Sequence, residues 1–185
     1  MSIGGHQKNT KNPQTEWITP KHIIKALGPF DLDPCAAGRQ PWPTARHHFT
    51  RDDDGLARPW SGFVWLNPPY GRNVGKWLAC LAAHRDGGIA LVFARTETEA
   101  FFEHVWPHAD SLLFLRGRLR FHHEDGRKAA GTAGAPSVLI GYGKEARHRL
   151  MTSYGQLPGV YVSLRGEARV SIIHRRVDHV DRVVR

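Results

Sequence analysis

The chain has 185 residues, enough for one domain around a single core. Hydrophobic residues make up 41% and charged residues 23%, the balance of a soluble globular protein, and no apolar run approaches the ~20 residues that span a bilayer. The 26 Lys+Arg against 17 Asp+Glu give +9 and a pI near 10.1, which points to a polyanionic partner, nucleic acid first among them. Cys35 and Cys80 are far apart and outside any CxxC spacing, so neither a disulfide framework nor a zinc site is expected, and a reducing, cytoplasmic setting fits. The twelve histidines include the pairs His47-His48 and His122-His123, but no Cys/His set has ligand spacing and no metal is expected.

Residues 1–14 are polar, carry no apolar core, and read as a disordered lead-in. Thr19 and Pro20 suit the start of a helix that Gly28 ends, with Ile23, Ile24 and Leu27 on one face. Phe30 to Asp33 reads as a strand running into the turn Pro34-Cys35-Ala36-Ala37-Gly38. Residues 38–60 are mostly loop, with room for one short strand or helical turn. Phe63 to Leu66 is a strand buried on both faces, stopping directly at Asn67-Pro68-Pro69-Tyr70. A helix with Val74, Trp77, Leu78 and Leu81 inward follows, ended by Gly87-Gly88. Ile89 to Phe93 is another buried strand, and Thr96 to Trp106 a helix with Phe101, Phe102 and Val105 inward. Leu112 to Leu115 is a strand, Arg118 to Phe121 a further candidate, residues 122–135 a flexible Gly/Ala-rich loop, and Val138 to Tyr142 a core strand. In the basic tail, 163–185, Ile173, Val177, Val180 and Val184 have helical spacing.

Strands alternating with helices from residue 20 to about 142 predict an α/β fold with a mostly parallel sheet. Ligands in such folds sit beyond the carboxyl ends of the strands, where Asp33-Pro34 and Asn67-Pro68 fall. Two consecutive prolines remove two backbone donors and fix φ, leaving carbonyls stiffly presented. The side-chain oxygen of Asn67 and the carbonyl of Pro68 can each accept a hydrogen from a planar amine, and the Tyr70 ring can stack on the base that carries it. The amino nitrogen of adenine is a weak nucleophile because its lone pair is delocalised. Two acceptors on its hydrogens favour the pyramidal form and stabilise positive charge developing at nitrogen. A duplex base reaches such a pocket only when flipped out of the stack.

With these motifs the sequence resembles the amino-methyltransferases, and specifically the small phage-type DNA N6-adenine methyltransferases. The likeness rests on Trp17-Ile18-Thr19-Pro20, on Asp33-Pro34-Cys35-Ala36-Ala37-Gly38 and on Asn67-Pro68-Pro69-Tyr70. Phe49-Thr50, Asp53 to Leu56, Trp60, Ala94-Arg95-Thr96 and Gly117 to Phe121 add to it, over roughly residues 16–162. The resemblance implies a Rossmann-like fold, somewhat minimised, with helices on both sheet faces, comprising a catalytic domain over 15–162 and the tail. It implies S-adenosylmethionine as cofactor, held by Trp17, Thr19, Pro20, Asp33, Pro34, Ala36, Asn67 and by Asp54 or its neighbour Asp53. It implies catalysis by Asn67, Pro68, Pro69 and Tyr70 on a flipped-out adenine of DNA, in a bacterial host cell with a phage-type gene. Monomer and homodimer both remain open.

Three features depart from that pattern. Only about 30 residues separate the Asp33 and Asn67 strands, so the usual second and third strands must be short or missing. The turn after Asp33 lacks the full Gly-x-Gly pattern, and no separate target-recognition domain fits. Specificity is then relaxed, or comes from loop 122–135 and from Arg72, Arg116, Arg118 and Arg120 as phosphate contacts. The same chemistry on an RNA adenine or a protein glutamine, and an inactive nucleic-acid-binding relative, are the competing readings. The intact Asp33 and Asn67 to Tyr70 weigh against the last of these.

Overall fold

A computed structural model describes residues 16–153, 155–166 and 170–173. The expected lead-in at 1–14 and the tail beyond residue 173 lie outside the described residues. The elements in chain order are α1 (Lys21–Leu27), β1 (Leu32–Asp33), β2 (His47–His48), a 3-10 turn (Arg51–Asp53), β3 (Val64–Leu66), α2 (Val74–Ala83), β4 (Gly88–Phe93), α3 (Glu99–His104), β5 (Ser111–Leu115), β6 (Ser137–Tyr142), α4 (Lys144–Thr152), β7 (Gly159–Ser163) and β8 (Val170–Ile173).

Among the described residues, the eight strands form one sheet in the order β2-β1-β3-β4-β6-β5-β7-β8. Its first half is parallel, with β1 beside β2 and β3, and β3 beside β4. Its second half is antiparallel, because β6 inserts between β4 and β5 and runs against both, and β7 and β8 continue the alternation. The expectation of a mostly parallel sheet is corrected accordingly. The cause is topological: the stretch 116–136 returns the chain without a crossover helix, so β6 must enter from the opposite end.

Period-two burial explains why both sheet faces are covered. Trp65, Ile89, Leu91, Leu113 and Leu139 point to one side and pack against Ile23 and Leu27 of α1 and Ala146 and Leu150 of α4. Val64, Leu66, Ala90, Val92, Leu112, Val138 and Ile140 point to the other and meet Trp77, Leu78 and Leu81 of α2 and Phe101 of α3. Each fully buried Leu or Ile contributes about 1.5–3 kcal/mol. This two-sided α/β sandwich is a minimised Rossmann-like arrangement: β2 has two residues and no helix joins it to β1.

Several local expectations are revised. Helix α1 starts at Lys21 behind Pro20, with no side-chain cap from Thr19, which is buried instead. Helix α2 ends at Ala83, before Gly87-Gly88, and Gly88 opens β4. Phe102 is 64% exposed, because the short α3 turns only Phe101 onto the sheet and Val105 follows at its end. Residues 118–121 pair with no sheet strand; Leu119, Phe121 and His123 instead bond backbone-to-backbone with Ala133, Ala129 and Arg127, folding 119–133 into a hairpin-like arm. The tail does not begin as a helix: Val170–Ile173 is the outer strand β8, paired with β7. Helix α4 and β7 went unread. Arg149 anchors α4, donating to the carbonyls of Leu27 (2.9 Å) and Pro29 (2.6 Å) and lying 4.3 Å over the Phe63 ring.

Candidate active site

Strand order fixes where a ligand can enter. The chain passes from β1 outward to β2 and then back across to β3, so β1 and β3 flank the point where the order reverses. In open α/β sheets, ligands bind in the crevice beyond the carboxyl ends of the strands at such a point. Asp33 is the last residue of β1, and Asn67 immediately follows β3.

Asp33 is 3% exposed. Its Oδ2 accepts from the Thr44 hydroxyl at 2.5 Å and its Oδ1 from the Cys35 N–H at 3.2 Å. Burial pushes its pKa up to about 6, partly offset by those two hydrogen bonds. Among the described residues no Lys, Arg or His pairs with it. A buried carboxylate without a counter-cation is costly, and a ligand ammonium group is what such a site lacks. Burial, then the adjacent Asp33 charge, push the Cys35 thiol well above its ordinary range; it stays protonated where it contacts both Asp33 and the Asn67 backbone.

The turn after β1 is packed from three sides. The Glu16 carboxylate accepts the Gly38 N–H at 3.0 Å, the Ala36 N–H donates to the Phe49 carbonyl at 2.8 Å, and Trp42 Nε1 donates to the Thr19 carbonyl at 3.1 Å. Gly55 lies so close to Pro34 that a Cβ there would stand 1.9 Å from the Pro34 carbonyl oxygen. That approach brings the Asp53-Asp54 turn beside the Asp33 turn. The Asp53 carboxylate is tied back to Thr50, accepting its N–H at 2.8 Å and its hydroxyl at 2.9 Å in a capping box. Asp54 has left-handed backbone (φ 50°) and an exposed side chain.

The tetrapeptide is held from both ends of its amide. Asn67 Nδ2 donates to the Trp17 carbonyl at 3.1 Å, and its Oδ1 accepts from the Tyr70 hydroxyl at 3.3 Å. Pro68 is buried and Pro69 exposed. The Tyr70 ring stacks on Phe93, at the end of β4, with centroids 4.1 Å apart and planes 13° apart, and meets Phe121 edge-on at 6.3 Å. Burial raises the Tyr70 pKa far above its ordinary range, so the hydroxyl remains a donor.

The segment preceding α1 crosses this edge. Ile18 and His122 exchange backbone hydrogen bonds of 2.9 and 3.0 Å, joining residues 16–20 to the 119–133 arm. Trp17, Thr19 and Pro20 thus lie on the segment that bonds to Asn67 and Trp42, while Asp33, Pro34 and Ala36 lie on the turn after β1. Arg116, Arg118 and Arg120 are exposed and follow β5, which points the same way as β3 and β4; Arg72 follows Tyr70. None of these four arginines is in an ion pair among the described residues. Sequence reasoning missed Thr44, Phe93, Phe121, Glu16 and Trp42. Phe93 carried a signal as an aromatic at a strand's carboxyl end, and Phe121 closes the Gly117–Phe121 stretch of the family likeness; the other three carried none. The described residues contain no group of three or more His, Cys, Asp or Glu able to hold a metal ion, and no helix long and apolar enough to cross a membrane.

A two-sided α/β sheet with an uncompensated carboxylate and Asn-Pro-Pro-Tyr at neighbouring strand ends has the architecture of a Rossmann-like methyltransferase. Residues 6–159 match the family described as DNA N-6-adenine-methyltransferase (Dam). The match covers most of the chain, which belongs to this family, whose activity is methylation of adenine in DNA. No curated protein and no solved structure matches the chain.

Proposed function

We propose that the protein transfers the methyl group of S-adenosylmethionine to the N6 amino group of an adenine flipped out of DNA. The observation that carries this reading is the fixed Asn67 amide, one strand away from the unpaired Asp33 carboxylate. Asp33 would bind the ammonium of the cofactor's methionine end, with Thr44 and Cys35 N–H orienting the carboxylate. Thr19, Pro20, Pro34 and Ala36 would line that end, with Trp17 entering through its backbone. Asp54, whose side chain is exposed, suits the ribose hydroxyls better than Asp53, whose carboxylate is engaged by Thr50. When bound, the cofactor supplies an electrophilic sulfonium methyl group.

The remaining work falls to the chain's own residues. Asn67 Oδ1 has a second lone pair beside the one that receives the Tyr70 hydroxyl, and that lone pair is available to one amine hydrogen. The Pro68 carbonyl takes the other. The Asn67 acceptor is set by its two hydrogen bonds before the base arrives, and the fixed φ of Pro68 and Pro69 stiffens the other, so both would stabilise charge developing at N6 with little reorganisation. Such groups contribute about 100- to 1,000-fold in rate each. Tyr70 presents to the base whatever of its ring Phe93 and Phe121 leave open. The free guanidiniums of Arg72, Arg116, Arg118 and Arg120 hold the phosphate backbone.

The test is transfer of a labelled methyl group from S-adenosylmethionine to unmethylated DNA, comparing wild type with Asn67→Ala. N6-methyladenine formed by the wild type and lost in the variant supports the reading. Transfer to RNA or to protein glutamine, with none to duplex or single-stranded DNA, overturns it.

A further inference from the structure

Trp17 is a large apolar side chain left 40% exposed. Its position is unusual for a surface tryptophan: its carbonyl holds the Asn67 amide at 3.1 Å, so the residue stands at the lip of the crevice that contains the reacting group. Its ring leans on His123 with centroids 5.3 Å apart and planes tilted by 44°. His123 belongs to the 119–133 arm, whose outer residues Arg120 and Lys128 are exposed cations, with Arg118 just ahead of it, while Arg127 is paired with Asp125 at 2.7 Å. The backbone exchange between Ile18 and His122 holds the two side chains together at the mouth. An exposed ring between a base-directed amide and a run of cations satisfies the needs of a single-stranded nucleic-acid contact: a face for stacking and charge for the phosphates.

Resting on the reading above, we propose that Trp17, backed by His123, stacks on the DNA base that adjoins the flipped adenine. Flipping removes a stacking partner from each neighbouring base. An aromatic face at the lip restores one of them and offsets part of the cost of unstacking. The Trp17 ring therefore acts in DNA recognition, while its backbone acts in positioning Asn67. Because stacking is indifferent to base identity, this contact adds affinity without adding sequence preference.

The experiment compares wild type, Trp17→Phe and Trp17→Ala in steady-state methyl transfer to unmethylated plasmid DNA, varying DNA and S-adenosylmethionine separately. Thermal melting of each variant accompanies the kinetics. Anisotropy of a fluorescein-labelled, adenine-containing single strand gives DNA affinity independently of turnover. Loss of one base stack, about 1–3 kcal/mol, corresponds to about a 5- to 150-fold weaker DNA affinity. Trp17→Ala is expected to raise KM for DNA and weaken strand binding in that range, with KM for S-adenosylmethionine within twofold of wild type. Trp17→Phe, which keeps a π face, recovers most of the loss. A rise in KM for S-adenosylmethionine instead makes the ring part of the cofactor site, and unchanged DNA terms in both variants show that it touches no base; either overturns the inference. Failure of the wild type to methylate DNA at all, by contrast, would bring down the underlying reading.

Discussion

The Tyr70 hydroxyl donates to Asn67 Oδ1 at 3.3 Å while Asn67 Nδ2 donates to the Trp17 carbonyl at 3.1 Å, and together these bonds fix which end of the amide faces the crevice. Tyr70→Phe keeps the stack on Phe93 and removes one of the two restraints. A neutral hydrogen bond is worth about 0.5–1.5 kcal/mol, so kcat should fall by about two- to tenfold with KM for the cofactor unchanged. Tyr70→Ala also removes the contacts with Phe93 and Phe121 and should lower both activity and melting temperature. Equal kcat in Tyr70→Phe and wild type would show that the hydroxyl does not orient the amide.

The buried Asp33 carboxyl gives a pH signature with a definite sign. Its pKa is raised from 3.8 to about 6 by burial, so between those values the cofactor-free folded protein holds the proton more tightly than the unfolded chain. Stability should therefore fall as pH rises through that window, by up to about 3 kcal/mol from this group alone. An ammonium-bearing ligand needs the ionised form, so affinity for S-adenosylhomocysteine should rise with pH through about 6 and level off above it. Calorimetric titration across that range checks this. Asp33→Asn should weaken binding and flatten its pH dependence; an unaltered pH profile would remove Asp33 from the cofactor site.

Gly55 is required by space, since a Cβ would stand 1.9 Å from the Pro34 carbonyl oxygen. Gly55→Ala must push the Asp53-Asp54 turn away from the Asp33 turn. Overpacking of this kind costs about 1–3 kcal/mol, so the variant should melt earlier and bind S-adenosylhomocysteine more weakly. A variant that melts earlier yet binds normally would mean that the two turns do not share the ligand.

Arg118 and Arg120 project from the carboxyl edge with no ion-pair partner among the described residues. Replacing both with Gln should weaken DNA binding similarly across sequences. It should also reduce the slope of log affinity against log salt by about 1.8 for duplex DNA, if each meets one phosphate. An unchanged slope would assign these arginines no phosphate contact.

Much of the parallel half was legible because its signals are local. The apolar runs at Val64–Leu66 and Gly88–Phe93 are buried whatever the register, and Pro68-Pro69 ends a strand by removing donors. The same rules placed Asp33 and Asn67 at strand ends. The antiparallel half was not legible, because pairing direction depends on where the chain returns after 116–136, which no local pattern encodes. Helix α4 escaped because KEARHRLMT is polar on most of its surface and buries only Ala146 and Leu150. Its place is set by Arg149 reaching residues far away in sequence.

The sequence by itself determined the family and the residue types on which the proposal rests: a carboxylate at the end of one strand, an Asn-Pro-Pro-Tyr after another, a basic chain, and a family match over residues 6–159. Residue type and short-range spacing suffice for that, since they decide which atoms can donate, accept or stack. Only the tertiary structure decided how those atoms are held. It brought Thr44 to Asp33, Trp17 to Asn67, Phe93 and Phe121 to Tyr70, and the 119–133 arm to Ile18. Apart from Thr44 and Asp33, which are 11 residues apart, each of these is a contact between segments distant in sequence, fixed by strand order and by the burial of two sheet faces, and no local pattern encodes any of them.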